Sequence, residues 1–149
     1  KMLDSVDVTD SELVLDVGAG YGYSSAIIAY LAEAVVALES EDRPANEMQN
    51  ALIENGIDNV IVEQGSLLDG AASHAPYDVI FVQGGVEFIP EQIISQLKEG
   101  GRMVALFMEG ALGTVKIGYK VKGGLNWRFA FNAGAPVLSD FEKEKTFIL

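Results

Sequence analysis

Apolar residues over the first two thirds of the chain come in short, nearly unbroken runs at positions 13–17, 34–38, 60–62, 79–82 and 102–107. Runs without alternation fit strands buried on both faces, as in a parallel sheet covered by helices. Between them lie segments of helical character. Residues 23–32 carry Ile27, Ile28 and Leu31 among small residues, which suits close packing on a sheet. Glu41-Asp42-Arg43-Pro44 opens a second helix through Met48, Leu52 and Ile53, with Gly56 as its stop. A third is expected from Pro90 through Leu97, with Ile93, Ile94 and Leu97 on its apolar side and Gly100-Gly101 ending it.

The pattern changes in the last third. Residues 115–121 and 126–131 alternate and are joined by Lys122-Gly123-Gly124, which predicts an antiparallel hairpin with solvent-facing positions. Residues 2–12 read as a helix tail and a polar approach to the first strand, and 146–149 as a short edge strand or a packed tail. The expected fold is therefore α/β: a Rossmann-like open, mostly parallel twisted sheet with helices on both faces and a C-terminal antiparallel hairpin. Right-handed crossovers place helices on opposite layers only if the strand order reverses. At 149 residues, one domain over 1–149 is expected. Because position 1 is Lys rather than Met, the chain is expected to begin inside a longer polypeptide.

Composition narrows the chemistry mainly by what it lacks. The chain has no Cys and a single His, His74, which excludes disulfides, thiolate metal sites and His-rich metal centres. His74 is expected on a surface loop. An apolar fraction of 49% argues against disorder, and no apolar run reaches membrane-spanning length. Acids before residue 13 replace the apolar segment of a secretory signal. A formal net charge of −12 disfavours nucleic acid as partner. No membrane partner and a cytoplasmic location are expected.

The first apolar run stops at Asp16 and opens into Gly18-Ala19-Gly20-Tyr21-Gly22-Tyr23. Glycines permit a sharp turn and close approach of backbone to a ligand, and amides at the following helix start are expected to meet the polar part of a cofactor. In a dinucleotide fingerprint the third glycine or alanine falls at position 23; here Tyr23 stands there, and the third glycine is early, at Gly22. A triphosphate loop is set aside because no Lys occurs between Lys1 and Lys98. Glu39 ends the second run about twenty residues after the turn, where a carboxylate accepts from a ribose diol; a solvated strand-end acid is the alternative. Ser66 or the Leu67 amide is expected at an adenine edge, with Leu67 and Leu68 over its face; an ordinary turn into a short helix is the alternative. Asp69 either faces the ligand or caps that helix. Asp78 lies at the opposite strand end and reads as structural, whereas Gln83 lies at the active edge, within reach of cofactor or substrate.

Together these residues resemble a class I S-adenosylmethionine-dependent methyltransferase, and more narrowly the protein-L-isoaspartate O-methyltransferase family. The resemblance rests on residues 15–23, Glu39, Asn59-Val60, Gly65, Ala75-Pro76-Tyr77-Asp78-Val79-Ile80, Ile89-Pro90 and Gln96-Leu97-Lys98-Glu99-Gly100-Gly101-Arg102. It is good over 13–107 and weak over the hairpin. It implies methyl transfer from S-adenosylmethionine, leaving S-adenosylhomocysteine, to the α-carboxylate of isoaspartyl residues in damaged proteins. An isoaspartyl protein or peptide is the implied partner, and the sequence assigns no oligomeric state. The implied cofactor-binding positions are Asp16, Gly18, Ala19, Gly20, Tyr21, Glu39, Ser40, Gly65, Ser66, Leu67 and Gln83. No catalytic residue and no metal are implied: a carboxylate acceptor is already ionised near neutral pH, so alignment and desolvation carry the reaction. The sequence departs from the family at Ser66, where an acid is usual and is expected to contact the adenine amino group. The family also has an upstream substrate-binding segment, which this chain is expected to lack. The rivals are a same-fold methyltransferase with another acceptor, a noncatalytic scaffold and, more weakly, an NAD enzyme.

Overall fold

The uninterrupted apolar runs pair side by side in parallel, since each has two faces to cover. In the computed structural model, which describes residues 2–143, they form β1 (Leu13–Val17), β2 (Ala34–Glu39), β3 (Val60–Gln64), β4 (Tyr77–Val86) and β5 (Leu97–Glu109). β6 (Leu112–Val121) and β7 (Gly124–Asn132) follow antiparallel, giving one seven-stranded sheet in the order β3-β2-β1-β4-β5-β6-β7. The order reverses between β1 and β4, so a crevice opens at their carboxyl ends, where ligands of such sheets bind.

Alternate residues cover alternate faces. Leu15, Val17, Val36, Leu38, Ile80 and Val82 pack on one side with Leu67, Ile93 and Phe141. Val14, Val35, Val79, Phe81 and Val104 pack on the other with Ile28 and Ala29 of α1 (Tyr23–Ala29). α2 (Asp42–Glu54) lies on that second face, where Met48 and Leu52 meet Ala19 and Ala37. The first face is covered by α3 (Glu91–Ile94) and by 3-10 turns at Leu67–Asp69 and Ser139–Phe141. Each fully buried Leu, Ile, Val or Phe side chain contributes roughly 1.5–3 kcal/mol.

Asp78 is structural, as expected: its carboxylate accepts from the Leu13 amide at 2.8 Å and from Lys98 Nζ at 3.1 Å. His74 sits in the connection before β4, its Nε2 2.9 Å from Glu63 Oε1.

Several elements differ from expectation. The helix expected through Leu97 stops at Ile94, because the Gln96 carbonyl accepts from the Tyr77 amide at 2.8 Å and Leu97 already pairs with Tyr77. Gly100 and Gly101 therefore stop no helix; they lie in an irregular opening of β5, where Gly100 has φ +80°. A Cβ on Gly101 would stand 2.9 Å from the Asp78 carbonyl, so the bulge needs a bare backbone. β4 runs on through Gln83 to Val86, since Gly85 and Val86 resume pairing with Leu106 and Phe107 after a register shift. α1 ends at Ala29, and Leu31 closes on Ile28 with an i→i+3 bond. The helix tail expected at 2–12 is a single 3-10 turn, Leu3–Ser5. The hairpin is confirmed, with Gly124 inside β7 rather than in the turn. The 146–149 expectation lies outside the described residues.

Candidate functional site

Asp16 ends the apolar part of β1 with its side chain fully buried. Among the described residues no cation neutralises it. The hydroxyls of Ser24 and Ser25 each donate to Oδ2 at 2.7 Å, and Gln83 Nε2 donates to Oδ1 at 2.9 Å. Burial raises the carboxyl above the ordinary Asp value, and the donors from Ser25, Ser24 and Gln83 pull it back. The chemical result is a polar tie between β1, the first turn of α1 and β4, directly beneath the glycine turn.

The turn itself is closed on the protein. The Gly18 and Ala19 amides donate to the Leu38 carbonyl at 2.9 and 3.0 Å, and the Gly22 amide donates to the Ala19 carbonyl at 3.0 Å. The Gly20 amide donates to Glu39 Oε1 at 2.9 Å. The expectation that amides here face a ligand's polar group is therefore corrected at these four positions: they are spent internally and form no phosphate cradle. Gly22 explains the early third glycine. With φ +89°, its hypothetical Cβ would lie 2.6 Å from Met48 Cγ, so the glycine allows α2 to pack against the start of α1. Gly20, at φ +59°, faces open space instead.

Glu39 is 8% exposed. Its Oε2 accepts from the Ser40 and Glu41 amides, both at 2.9 Å, while Oε1 takes the Gly20 amide. A carboxylate has about four lone-pair sites, so capacity remains, chiefly on Oε1. The group is oriented by three backbone amides and still open to further donors.

Gly18, Gly20, Glu39, Ser40, Glu41, Pro44 and Leu67 line a cavity of about 290 Å³ together with Leu138, Ser139 and Asp140. Three of these residues carry carboxylates and none a cation. The cavity thus disfavours a phosphorylated ligand and suits a neutral or cationic one.

Of the positions singled out from sequence, Gly18, Gly20, Glu39, Ser40 and Leu67 meet in this cavity. Asp16 and Gln83 lie below it, bonded to each other. Gly65 supports it through an amide that donates to the Glu39 carbonyl at 3.1 Å. Ser66 precedes the Leu67–Asp69 turn and is not part of the lining. Asp69 uses its main-chain carbonyl to accept from Gln96 Nε2 at 2.8 Å. Ala19 is buried with Met48 and Leu52. Tyr21 lines a separate groove between α1 and α2.

Sequence reasoning missed the wall built from Leu138, Ser139 and Asp140. That segment crosses the carboxyl edge of the sheet because Gly85 pairs with Val137. The Gly85 amide donates to the Pro136 carbonyl at 3.0 Å, the Leu138 amide to the Gly85 carbonyl at 2.9 Å, and the Glu87 amide to the Phe141 carbonyl at 2.9 Å. Bare backbone makes room: a Cβ on Gly84 would lie 2.7 Å from Leu138 Cγ. Phe141, fully buried against the ring of Phe88 at 6.3 Å, anchors the far end. The Gly84-Gly85 pair was the available signal, but it reads equally as the end of a strand.

Residues 1–116 match the family described as Protein-L-isoaspartate(D-aspartate) O-methyltransferase (PCMT). The chain belongs to this family. It has the class I S-adenosylmethionine-dependent methyltransferase fold. It is 42% identical over 103 residues to Protein-L-isoaspartate O-methyltransferase 2 of Polaromonas sp. (strain JS666 / ATCC BAA-500), covering 69% of this chain and 49% of the relative. It is 36% identical over 103 residues to Protein-L-isoaspartate O-methyltransferase 1 of Syntrophobacter fumaroxidans (strain DSM 10017 / MPOB), covering 69% and 48%. The chain spans about half the length of these curated relatives. A solved protein-L-isoaspartate O-methyltransferase superposes with a TM-score of 0.86 at 26% identity, over 93% of this chain and 45% of that one. A Plasmodium falciparum PCMT structure in complex with S-adenosyl-L-homocysteine superposes at 0.78 and 18% identity, over 93% and 72%, a likeness of fold alone.

Proposed function

We propose that this PCMT-family chain binds S-adenosylmethionine and transfers its methyl group to the α-carboxylate of L-isoaspartyl residues in damaged proteins, as the names of its relatives suggest. The observation that carries the cofactor reading is the cavity's donor set. Glu39 presents an oriented carboxylate at the end of β2, the Gly18, Ala19, Gly20 and Gly22 amides are spent internally, and among the described residues the lining holds no cation. A dinucleotide needs free amides or cations for its pyrophosphate; a nucleoside carrying a sulfonium needs neither. When bound, the cofactor supplies an electrophilic methyl group on a cationic sulfur.

In this reading Glu39 accepts the ribose hydroxyls through its remaining lone pairs. Gly18 and Gly20 allow close approach, Ser40 and Leu67 flank the nucleoside, and Leu67 excludes water from one side. Asp16, held by Ser24, Ser25 and Gln83, fixes the turn beneath the amino-acid end. Gly65 and Ser66 shape the approach to Leu67; Ala19 and Tyr21 act through packing of the turn. No protein base is required, since the acceptor is already a carboxylate, so alignment and exclusion of water supply the rate. The site needs no metal, and a protein or peptide acceptor in the cytoplasm fits the reading.

The deciding experiment incubates the full chain with methyl-labelled S-adenosylmethionine and paired peptides containing L-isoaspartate or L-aspartate. Base-labile methyl ester on the isoaspartyl peptide alone is expected. Cofactor binding without such an ester, or turnover only of an unrelated acceptor, sinks the assigned substrate. Failure to bind either form of the cofactor sinks the enzyme reading as a whole.

A further inference from the structure

We propose that Asp140, on the segment that crosses the carboxyl edge of the sheet, reads the exocyclic amino group of the cofactor's adenine; the inference rests on the cofactor reading above. Two 3-10 turns, Leu67–Asp69 and Ser139–Phe141, pack against each other at one end of the cavity. Leu67, Leu138 and Pro44 supply its apolar walls, which suit a flat heteroaromatic base. A base held between apolar walls is identified only by groups that meet its edge. An amino group there requires an acceptor, and an ionised carboxylate is an acceptor only.

The other acceptors near that end are engaged, placed elsewhere or, like the Ser139 hydroxyl, uncharged. Glu39 already takes three backbone amides and stands at the end of β2, and Glu41 follows it at the start of α2. Ser66 is outside the lining, and its carbonyl accepts from the Asp69 amide at 3.1 Å. The Asp69 carbonyl is taken by Gln96, and Gln64 Nε2 donates to the Asp42 carboxylate. The Asp140 carboxylate has no hydrogen bond or ion pair among the described residues and its residue lines the cavity beside Leu67, whereas the Asp69 carboxylate, likewise without one, lies outside the lining and Glu41 stands at the α2 end. Its segment lies beyond the residues matched by the family, 1–116. Position 66 carries Ser, with a hydroxyl in place of an ionised acceptor; Asp140 supplies a carboxylate to the same end of the cavity from a different part of the chain. Latching through Gly85 and Glu87 fixes the backbone that carries that carboxylate.

The test is calorimetric titration of the full chain, wild type and Asp140→Asn, with S-adenosylhomocysteine and with its 6-oxo analogue S-inosylhomocysteine. Circular dichroism melts verify that the variant is folded, and Asp69→Asn serves as a control on the neighbouring turn. Wild type is expected to prefer the adenosyl ligand. Asp140→Asn is expected to weaken that ligand roughly tenfold and to improve the inosyl ligand, because an Asn amide also donates to a 6-oxo group. Asp69→Asn should leave the preference unchanged. A folded Asp140→Asn variant that keeps the wild-type preference overturns the inference while leaving the cofactor reading intact. Wild type that binds neither ligand overturns both, and a preference lost in Asp69→Asn instead transfers the role to Asp69.

Discussion

Among the described residues two carboxylates lie almost out of water with no cation beside them, and both are held by dipoles. Asp16 is satisfied by two hydroxyls and an amide side chain, and Glu39 by three backbone amides. Removing one donor from such a group leaves a charge underserved. Ser25→Ala is expected to cost about 1–3 kcal/mol of stability, read by urea unfolding, and to raise the Asp16 carboxyl further. Because burial already raises that carboxyl, its ionisation works against the fold: its contribution to stability is fully present below the unfolded pKa and falls as pH rises through the folded value. Glu39→Ala removes both the anchor of the Gly20 amide and the proposed ribose acceptor. A loss of S-adenosylhomocysteine affinity of at least roughly tenfold is expected by calorimetry, and unchanged affinity refutes the ribose role. Both acids were legible as strand-end carboxylates. Their partners were not, because hydrogen-bond direction is set by the path of the turn.

At the scale of elements, the connection from β3 to β5 is organised by Gln96, which the apolar spacing of Ile93, Ile94 and Leu97 hid inside a helix. Its Oε1 accepts from the Ala71 amide at 3.0 Å and its Nε2 donates to the Asp69 carbonyl at 2.8 Å. The Tyr77 hydroxyl donates to the Ala71 carbonyl, and burial pushes that hydroxyl's pKa up to about 12, keeping it a donor. This buried clamp outweighs local helix propensity, which gains little from one further turn. Gln96→Leu strands two backbone groups and should destabilise by about 2–4 kcal/mol, measured by denaturant unfolding. A change under about 0.5 kcal/mol, the size expected at an inert surface site, contradicts the clamp. The wall carrying Leu138 is organised in the same way, by long-range pairing to Gly85. Gly84→Ala should push Leu138 aside, because its Cβ has no room; a thermal melt unchanged from wild type counts against that seating.

For the whole molecule, Arg102 ties β5 to the residues before β1. Its Nη1 donates to Glu12 Oε2 at 2.8 Å and its Nη2 to Glu12 Oε1 at 2.9 Å, with both side chains mostly buried. This hydrogen-bonded pairing lowers the Glu12 pKa from 4.5 to about 2 despite partial desolvation. A lowered carboxylate stabilises the fold above its unfolded value, and that stability is lost as pH falls from about 4.5 toward about 2. The pair accounts for on the order of 2 kcal/mol once solvent screening is discounted. Glu12→Gln should therefore flatten the acid limb of a stability profile between those pH values; an unchanged slope removes the pair from the account.

The sequence by itself determined the parallel core, the glycine turn between Asp16 and Glu39, the hairpin and the family, because hydrophobic runs, acids at strand ends and glycine spacing are local features. Tertiary structure alone decided that the turn's amides face inward, that Gln96 leaves its helix, and that residues 138–140 close the cavity. Those outcomes depend on pairings between segments far apart in the chain, such as Gln96 with Ala71 and Gly85 with Val137. Such pairings satisfy backbone groups that would otherwise be buried unbonded, and no pattern confined to one segment encodes them.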